Sequence, residues 1–421
     1  MAFTAEQLRH YLPIPDSPSS IWWIGFSGGL DSTVLLHALA QLRLSVQLRA
    51  LHINHQISSN ANCWQSQCAD VCAQLSIPFY AEKVSVVNTG KGIEDAARAA
   101  RYSVFEKNIA RDNYLLTAHH ANDQAETLLL RLMRGTGPRG LAAMAAVRAL
   151  GEGWLARPLL HFTRAELEAY ALTHQLTWVD DESNVDDDYD RNFLRNQVMP
   201  LLHSRWPEFK RKWQQTAELC AQQEGVMEEI AREDLLRAAP LVERLGQSLE
   251  LKALVDLSPA RKQNLLRYWL RLNNHTTPEQ SHWQQIEQQI FAGRDDAQPR
   301  VAWGNVALQT YRERLYALPL QIPDLELRMQ LSDASVKPRL KVDLPDMRIG
   351  YRSGGERCKP VGRGHSQTLK KLLQEYQLEP WLRDRVPLVF SGDNLVAVGD
   401  LWVCADFVAA ENEAGYALIW Q

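Results

Sequence analysis

The stretch Ile21-Trp-Trp-Ile-Gly-Phe26, followed at once by Ser27-Gly28-Gly29-Leu30-Asp31-Ser32, decides the fold. A compact apolar run bounded by glycine has the length and punctuation of a buried strand. After the loop, Val34, Leu35, Leu36 and Leu39 follow helical spacing. Strand, glycine loop and helix in this order build an anion cradle. Two adjacent glycines remove the β-carbons that would keep a backbone away from phosphate. Successive N–H groups then point at the anion, helped by the positive end of the following helix. Ser27 and Ser32 add hydroxyl donors, and Asp31, which repels phosphate, is suited to hold the Mg²⁺ that accompanies it. A tight turn with Asp31 or Ser32 capping the helix is the plain alternative. No Gly-Lys-Ser/Thr follows, so this is not a Walker A loop.

Working outward, strands are expected at Val46–Ile53, Phe79–Val87 and Tyr114–Ala118, and helices at Asn60–Leu75, Ile93–Ile109 and Asn122–Met133. Such alternation gives an α/β domain, a parallel sheet with helices on both faces. Ligands of these sheets sit at the carboxyl ends of the strands. Beyond it, Thr163-Arg-Ala-Glu166 reads as a capping box. Residues from Trp206 to about Phe291 are rich in Glu, Gln, Leu and Ala, and Val301–Leu320 is more strand-like. The expected organisation is a nucleotide-binding domain over residues 1–205, a mainly helical domain over 206–322 and an α+β domain over 323–421.

The net charge is -4, with 23% charged and 45% hydrophobic residues, so only a local basic surface could serve a polyanion. The six cysteines, Cys63, Cys68, Cys72, Cys220, Cys358 and Cys404, form no C-x-x-C pair. Free thiols in a cytoplasmic protein are expected. No signal peptide or membrane-length apolar run is read.

Further motifs carry charge in patterns. Glu94 and Arg98 are spaced as an i,i+4 helical pair, and Arg98 and Arg101 could alternatively face a phosphate. In His119-His120-Ala-Asn-Asp123-Gln-Ala-Glu126, Asp123-x-x-Glu126 resembles a helix start, while His119, Asp123 and Glu126 share one helical face. Two carboxylates near a strand end could grip an ammonium group and later take its proton. Arg131, Arg134 and Arg139 lie among glycines, and the acidic run Val179–Asp190 gives way to Arg191 and Arg195. Residues 348–371 hold seven Lys/Arg, among them Arg352 and Arg363, against one Glu, which points to nucleic-acid contact.

With these residues in view, the chain resembles the tRNA(Ile)-lysidine synthetases of the N-type ATP pyrophosphatase superfamily, whose catalytic domain is adenine nucleotide α-hydrolase-like and Rossmann-type. The resemblance is carried by HHANDQAETLLLRLMRGTGPRGL, RPLL, WVDDESNVDDDYDRNFLRN and KPVGRGHSQTLKKLLQEYQLEPWLRDRVPLV, occurring in that order. It implies that ATP adenylates the C2 oxygen of the wobble cytidine in the CAU anticodon of tRNA(Ile), after which L-lysine attacks C2. It further implies ATP on Ser27–Ser32 and Mg²⁺ on Asp31. Asp123 and Glu126 would hold the lysine ammonium, and Arg98 and Arg101 its carboxylate or a phosphate. His119, Arg191, Arg195, Arg352 and Arg363 are candidate lysine or tRNA contacts. The oligomeric state is not fixed, and a homodimer stays open. Two alternatives are a tRNA thiolase, which the cysteine spacing disfavours, and a tRNA-binding module with a degenerate ATP site.

Overall fold

The computed structural model describes every residue except 1, 16, 18, 57, 86–92, 181–186, 294–298, 333–337 and 411–412, and the side chains of Ile93 and Glu94. The expected Glu94–Arg98 pair and half of the acidic run Val179–Asp190 therefore lie outside the described residues. The chain divides into two compact units, Met1–Val226 and Met227–Gln421. No described helix is long and apolar enough to cross a membrane.

The first unit is built on strands β1 (Ile21–Gly25), β2 (Gln47–Asn54), β3 (Phe79–Lys83), β4 (Tyr114–Leu116), β5 (Val147–Leu150) and β6 (Gly153–Ala156). Their order is β3-β2-β1-β4-β6-β5, all neighbours parallel except the β5–β6 hairpin. Its helices are α1 (Ala5–Arg9), α2 (Leu30–Gln41), α3 (Ala61–Gln74), α4 (Ile93–Asn108), α5 (Ala121–Met133), α6 (Pro138–Leu141), α7 (Arg164–Thr173), α8 (Asp190–Phe193) and α9 (Met199–Arg205), and α10 (Phe209–Arg237) begins here. Alternate side chains of β1 serve opposite faces, as a pleated strand requires. Trp22 and Ile24 pack with Leu35, Leu36 and Leu39 of α2 and Leu167 of α7, whereas Trp23 packs with Phe105 of α4 and Ile109 just after it. Each such fully buried Leu or Ile contributes about 1.5–3 kcal/mol, which fixes the sheet between its helical layers.

The chain moves from β1 to β2 on one side and places β4 on the other, so strand order reverses between β1 and β4. Crevices outside the carboxyl ends of strands at such a reversal take ligands. The loop Phe26–Gly29 follows β1 there, and Thr117–His120 follows β4. The β5–β6 hairpin has no counterpart among the sequence expectations. It turns at Gly151 (φ 56°), and a β-carbon on Gly153 would come 2.6 Å from the Asn113 carbonyl.

In the second unit, β7 (Leu241–Val242), β8 (Gln247–Glu250), β9 (Arg300–Trp303), β10 (Val306–Tyr311) and β11 (Arg314–Pro319) form an antiparallel sheet ordered β7-β8-β11-β10-β9. Helices α11 (Leu251–Val255), α12 (Pro259–Leu272) and α13 (Gln280–Gln285) accompany it, with Trp269 and Trp283 buried in the shared core. Sequence composition conceals β7 and β8 inside a Glu/Gln/Leu-rich stretch, because strands of two and four residues are too short to show a period. The remainder, from β12 (Leu327–Ser332) to β20 (Gly415–Trp420), forms small sheets around the helix α14 (Leu369–Glu375).

Candidate active site

The glycine loop is shaped by its own backbone. Gly28 has φ 87°, a left-handed conformation that side chains disfavour, and a β-carbon there would fall 2.7 Å from Cys68 Sγ. Gly29 is the N-cap of α2 and offers no side chain to it. The hydroxyls are organised inward: Ser27 and Ser32 Oγ lie 3.1 Å apart, and Gly29 N–H donates to Ser27 Oγ at 3.3 Å. The Gly28 carbonyl accepts from Val179 N–H at 2.9 Å and from Thr33 Oγ1 at 3.3 Å. The loop is thus pinned on its carbonyl side, and Leu30 and Asp31 open the first turn of α2 behind it.

Asp31 is held by one oxygen. Its Oδ2 lies 3.4 Å from Nε2 of the buried His120 and 3.3 Å from Nη1 of Arg164. Its Oδ1 makes no hydrogen bond. A carboxylate anchored through one oxygen, with the other uncommitted beside an anion cradle, fits a Mg²⁺ that draws its remaining ligands from water and phosphate. No cluster of three His, Cys, Asp or Glu able to hold a metal occurs among the described residues, so phosphate oxygens would have to complete any such shell. Sequence reasoning does not single out Arg164, which reads there only as the second residue of a capping box. That box is real: Thr163 N–H donates to Glu166 Oε2 at 2.7 Å, and Glu166 N–H to Thr163 Oγ1 at 3.4 Å. By starting α7 at Arg164, it delivers the guanidinium to Asp31.

The second motif starts its helix differently from expectation. His120, not Asp123, caps α5: its Nδ1 accepts from the N–H groups of Asn122 (3.2 Å) and Asp123 (3.5 Å), and Asp123 Oδ2 accepts His120 N–H at 2.9 Å. Imidazole is a rare cap, so residue preferences alone favour Asp or Asn. Burial opposes a charge on His120, yet the nearby carboxylates Asp123, Asp31 and Glu126 outweigh it and hold its pKa above the usual value.

Asp123 and Glu126 do meet, but Arg191 and Arg195 meet them. Arg191 donates through Nε to Glu126 Oε2 (2.9 Å) and through Nη2 to Asp123 Oδ1 (3.0 Å). Arg195 donates through Nε to Glu126 Oε1 (2.8 Å) and through Nη2 to Asp123 Oδ1 (3.1 Å) and Glu126 Oε2 (2.9 Å). Arg195 stands on a single π-helical turn, Leu194–Val198, wedged between α8 and α9. Such turns are common at functional sites. Burial alone would raise the Asp123 pKa, but His120, Arg191 and His119 together drive it well below the carboxylate range. Both guanidiniums stay firmly charged, since the two carboxylates more than offset their burial.

Between these groups and the end of β2 lies a cavity of about 730 Å³, lined on the near side by Ser27, Gly29, Asp31, Ser32, His119 and Asp123. Its far wall is Ile53, Asn54, His55, Trp64, Arg98, Arg101 and Tyr102, a volume in the range of small-molecule sites. The β2 end and Trp64 escape the sequence reading; the adjacency of β2 to β1 is the signal that could have found them. His119 lines the cavity with Nδ1 2.9 Å from Thr117 Oγ1. Burial, aided by Arg157, Arg191 and Arg98 and opposed by Asp123, pushes its pKa down to about 3, so it is neutral near pH 7. Arg98 stacks on Tyr102 at 5.1 Å. His55 is likewise pushed down to about 4, by burial first and then by Arg101 and His52.

The last two candidates lie in the second unit and are already engaged. Arg352 donates to Asp384 Oδ1 at 2.8 Å, and Arg363 is paired with Glu375 at 2.6 Å. The exposed cations of that segment include Arg348, Arg357, Lys370 and Lys371.

Comparison with known proteins agrees with this architecture. Residues 4–202 match the PP-loop domain, 249–316 the TilS substrate binding domain and 347–420 the TilS substrate C-terminal domain. The chain is 38% identical to the tRNA(Ile)-lysidine synthase of Coxiella burnetii over 98% of its length and 96% of the relative's. It is 39% identical to that of Serratia proteamaculans, covering 94% of this chain and 95% of that one. With three family domains in order along the chain and relatives matched over almost their whole length, the protein belongs to the tRNA(Ile)-lysidine synthase family of ATP-dependent PP-loop enzymes.

Proposed function

We propose that the protein uses ATP to join L-lysine to C2 of the wobble cytidine in the CAU anticodon of tRNA(Ile). The C2 oxygen attacks the α-phosphate of ATP, and pyrophosphate leaves. The ε-amine of lysine then attacks C2 of the adenylated tRNA, the C2–oxygen bond breaks and AMP departs, leaving lysidine. The product reads AUA in place of AUG and accepts isoleucine in place of methionine.

One observation supports this reading: the cradle residues Ser27, Gly29, Asp31 and Ser32 and the carboxylate Asp123 line one crevice, with His120 between Asp31 and Asp123 and the buried Glu126 behind, linked to Asp123 through Arg191 and Arg195. In the first step, loop N–H groups and the N-terminus of α2 stabilise charge on the phosphates. Mg²⁺, when held by Asp31 and the phosphates, supplies Lewis-acid polarisation of the phosphoryl oxygens. In the second step, Asp123 and Glu126 bind the ammonium, and a carboxylate takes its proton before attack. Because both carboxylates are paired with Arg191 and Arg195, ammonium binding requires a guanidinium to give way; the arginine side chains, 24% and 31% exposed, form the open side of the cluster. Arg98 and Arg101 are assigned to the lysine carboxylate or a phosphate, and the exposed cations around residues 348–371 to tRNA.

Thiolation finds no support in the thiols. Burial pushes Cys68 and Cys72 up to about 12, far from the reactive thiolate that sulfur transfer needs. A tRNA-binding module with a decayed ATP site is opposed by the intact loop and its pinned carbonyls. The test is incubation with ATP, radiolabelled lysine and unmodified tRNA(Ile). Label in the tRNA with release of AMP and pyrophosphate is expected; folded protein that transfers none refutes the proposal.

A further inference from the structure

We infer that His120 is a positioning residue that orients Asp31 for the nucleotide's divalent cation through Nε2 while capping, through Nδ1, the helix that carries Asp123 and Glu126. The inference rests on the ATP-dependent reading above and extends it to a side chain that touches neither substrate.

The ring is 1% exposed and lies between the two halves of the site. Its Nδ1 accepts the N–H groups of Asn122 and Asp123, at 3.2 and 3.5 Å, so that nitrogen presents a lone pair. A neutral imidazole with Nδ1 as acceptor carries its hydrogen on Nε2. Nε2 lies 3.4 Å from Asp31 Oδ2, within ion-pair reach, and the same oxygen accepts from Arg164 Nη1 at 3.3 Å. His120 and Arg164 thus both approach Oδ2, while Oδ1 is a buried atom with no hydrogen-bond partner. Partners behind a ligand hold it in this way, and losing one typically weakens metal binding by about 10–100-fold. Asn, Asp or Ser would cap α5 at least as well, yet none has a second polar atom on the far side to reach Asp31. The adjacent His119 is committed elsewhere, bonded to Thr117 and lining the cavity. Three carboxylates, Asp31, Asp123 and Glu126, surround the ring and favour its charged form, but a proton on Nδ1 would forfeit both cap hydrogen bonds.

Two substitutions separate the roles. His120→Asn keeps a cap acceptor and loses the donor toward Asp31, whereas His120→Gln keeps an amide N–H near the Nε2 position and is a poor cap. With the full-length protein free of tRNA, ATP binding is titrated at a series of Mg²⁺ concentrations, and thermal unfolding is recorded without nucleotide. His120→Asn is expected to melt close to the parent and to require about tenfold more Mg²⁺ for half-maximal ATP binding. His120→Gln is expected to melt lower and to keep the parental Mg²⁺ requirement. A folded His120→Asn protein with parental Mg²⁺ dependence overturns the inference, and one needing less Mg²⁺ shows a competing imidazolium and overturns it too. Should His120→Asn not fold, His120→Gln decides: an unchanged requirement supports the inference, and a tenfold rise refutes it. A parent that binds no ATP at any Mg²⁺ concentration removes the ATP-dependent reading itself, a distinct failure.

Discussion

The glycine loop after β1 and the charge cluster on α5, which reaches the same crevice through Asp123, are made in opposite ways. The loop is made of consecutive backbone atoms, with Gly28 in a left-handed conformation and the N-terminus of α2 behind it. The cluster is made of side chains 65 to 72 residues apart, two carboxylates on α5 and two arginines from α8 and the π-helical turn. A site built of successive backbone groups is legible from a short string, because chain geometry does the assembling. A site built of opposed charges has no chemistry until the fold supplies each partner. Asp123 and Glu126 read as an anionic pair in sequence; folded, they are half of a balanced ion cluster.

The largest expected effect is in the cluster. Glu126→Gln removes the negative charge shared by both arginines and turns one acceptor oxygen into a donor at a position 1% exposed, and should destabilise the protein by about 3–5 kcal/mol, as loss of one partner from a buried ion pair does. Urea unfolding measures it; a change under about 1 kcal/mol would mean that the cluster behaves like surface charge. In the loop, Gly28→Ala should cost about 1–2 kcal/mol from the left-handed backbone, with added crowding at Cys68 Sγ, and should lower ATP affinity more than stability. Combining it with Cys68→Ala relieves the crowding but not the dihedral strain. Full recovery of binding in the double variant would show that packing, rather than backbone, constrains the loop.

Acid should act on the cluster side before the loop. His119 takes no proton in the folded state until pH nears 3, while its unfolded value is about 6.5. The unfolded chain therefore binds more protons in that window, and stability falls as pH drops through it. Asp123, held below the unfolded carboxylate value of about 3.9, contributes fully above that pH and is lost only as pH falls further. Melting temperatures between about pH 7.5 and 5 should fall, and His119→Asn should flatten part of that slope. An unchanged slope would assign the acid sensitivity to other groups, among them His55.

The smallest effect should come from the C-terminal segment, where charges read as free in sequence again prove paired. Asp384, the partner of Arg352, is 89% exposed, so Arg352→Ala should change stability by less than about 1 kcal/mol. It should barely alter the salt dependence of tRNA binding. Replacing Lys370 and Lys371 together should make the slope of log affinity against log salt shallower by about 0.7–0.9 for each phosphate that is no longer neutralised. The reverse ranking would return Arg352 to the tRNA surface.

Most of the first unit can be read in advance. The strand at Ile21, the helices near Asn60, Ile93 and Asn122, and the glycine loop between β1 and α2 fall within a few residues of expectation, because apolar periodicity and glycine placement are local. His120 as a cap, Arg164 on Asp31, the β2 wall of the cavity and the β5–β6 hairpin cannot, since each depends on neighbours brought by the sheet order. What the sequence determined by itself is therefore the loop: two glycines after an apolar strand set the turn from β1 into α2, with Gly28 in a left-handed conformation. Only the tertiary structure decided the charge state beside it. Coulombic pairing and burial depend on distances through space, and the arginines that pair with Asp123 and Glu126 enter the chain 65 or more positions later.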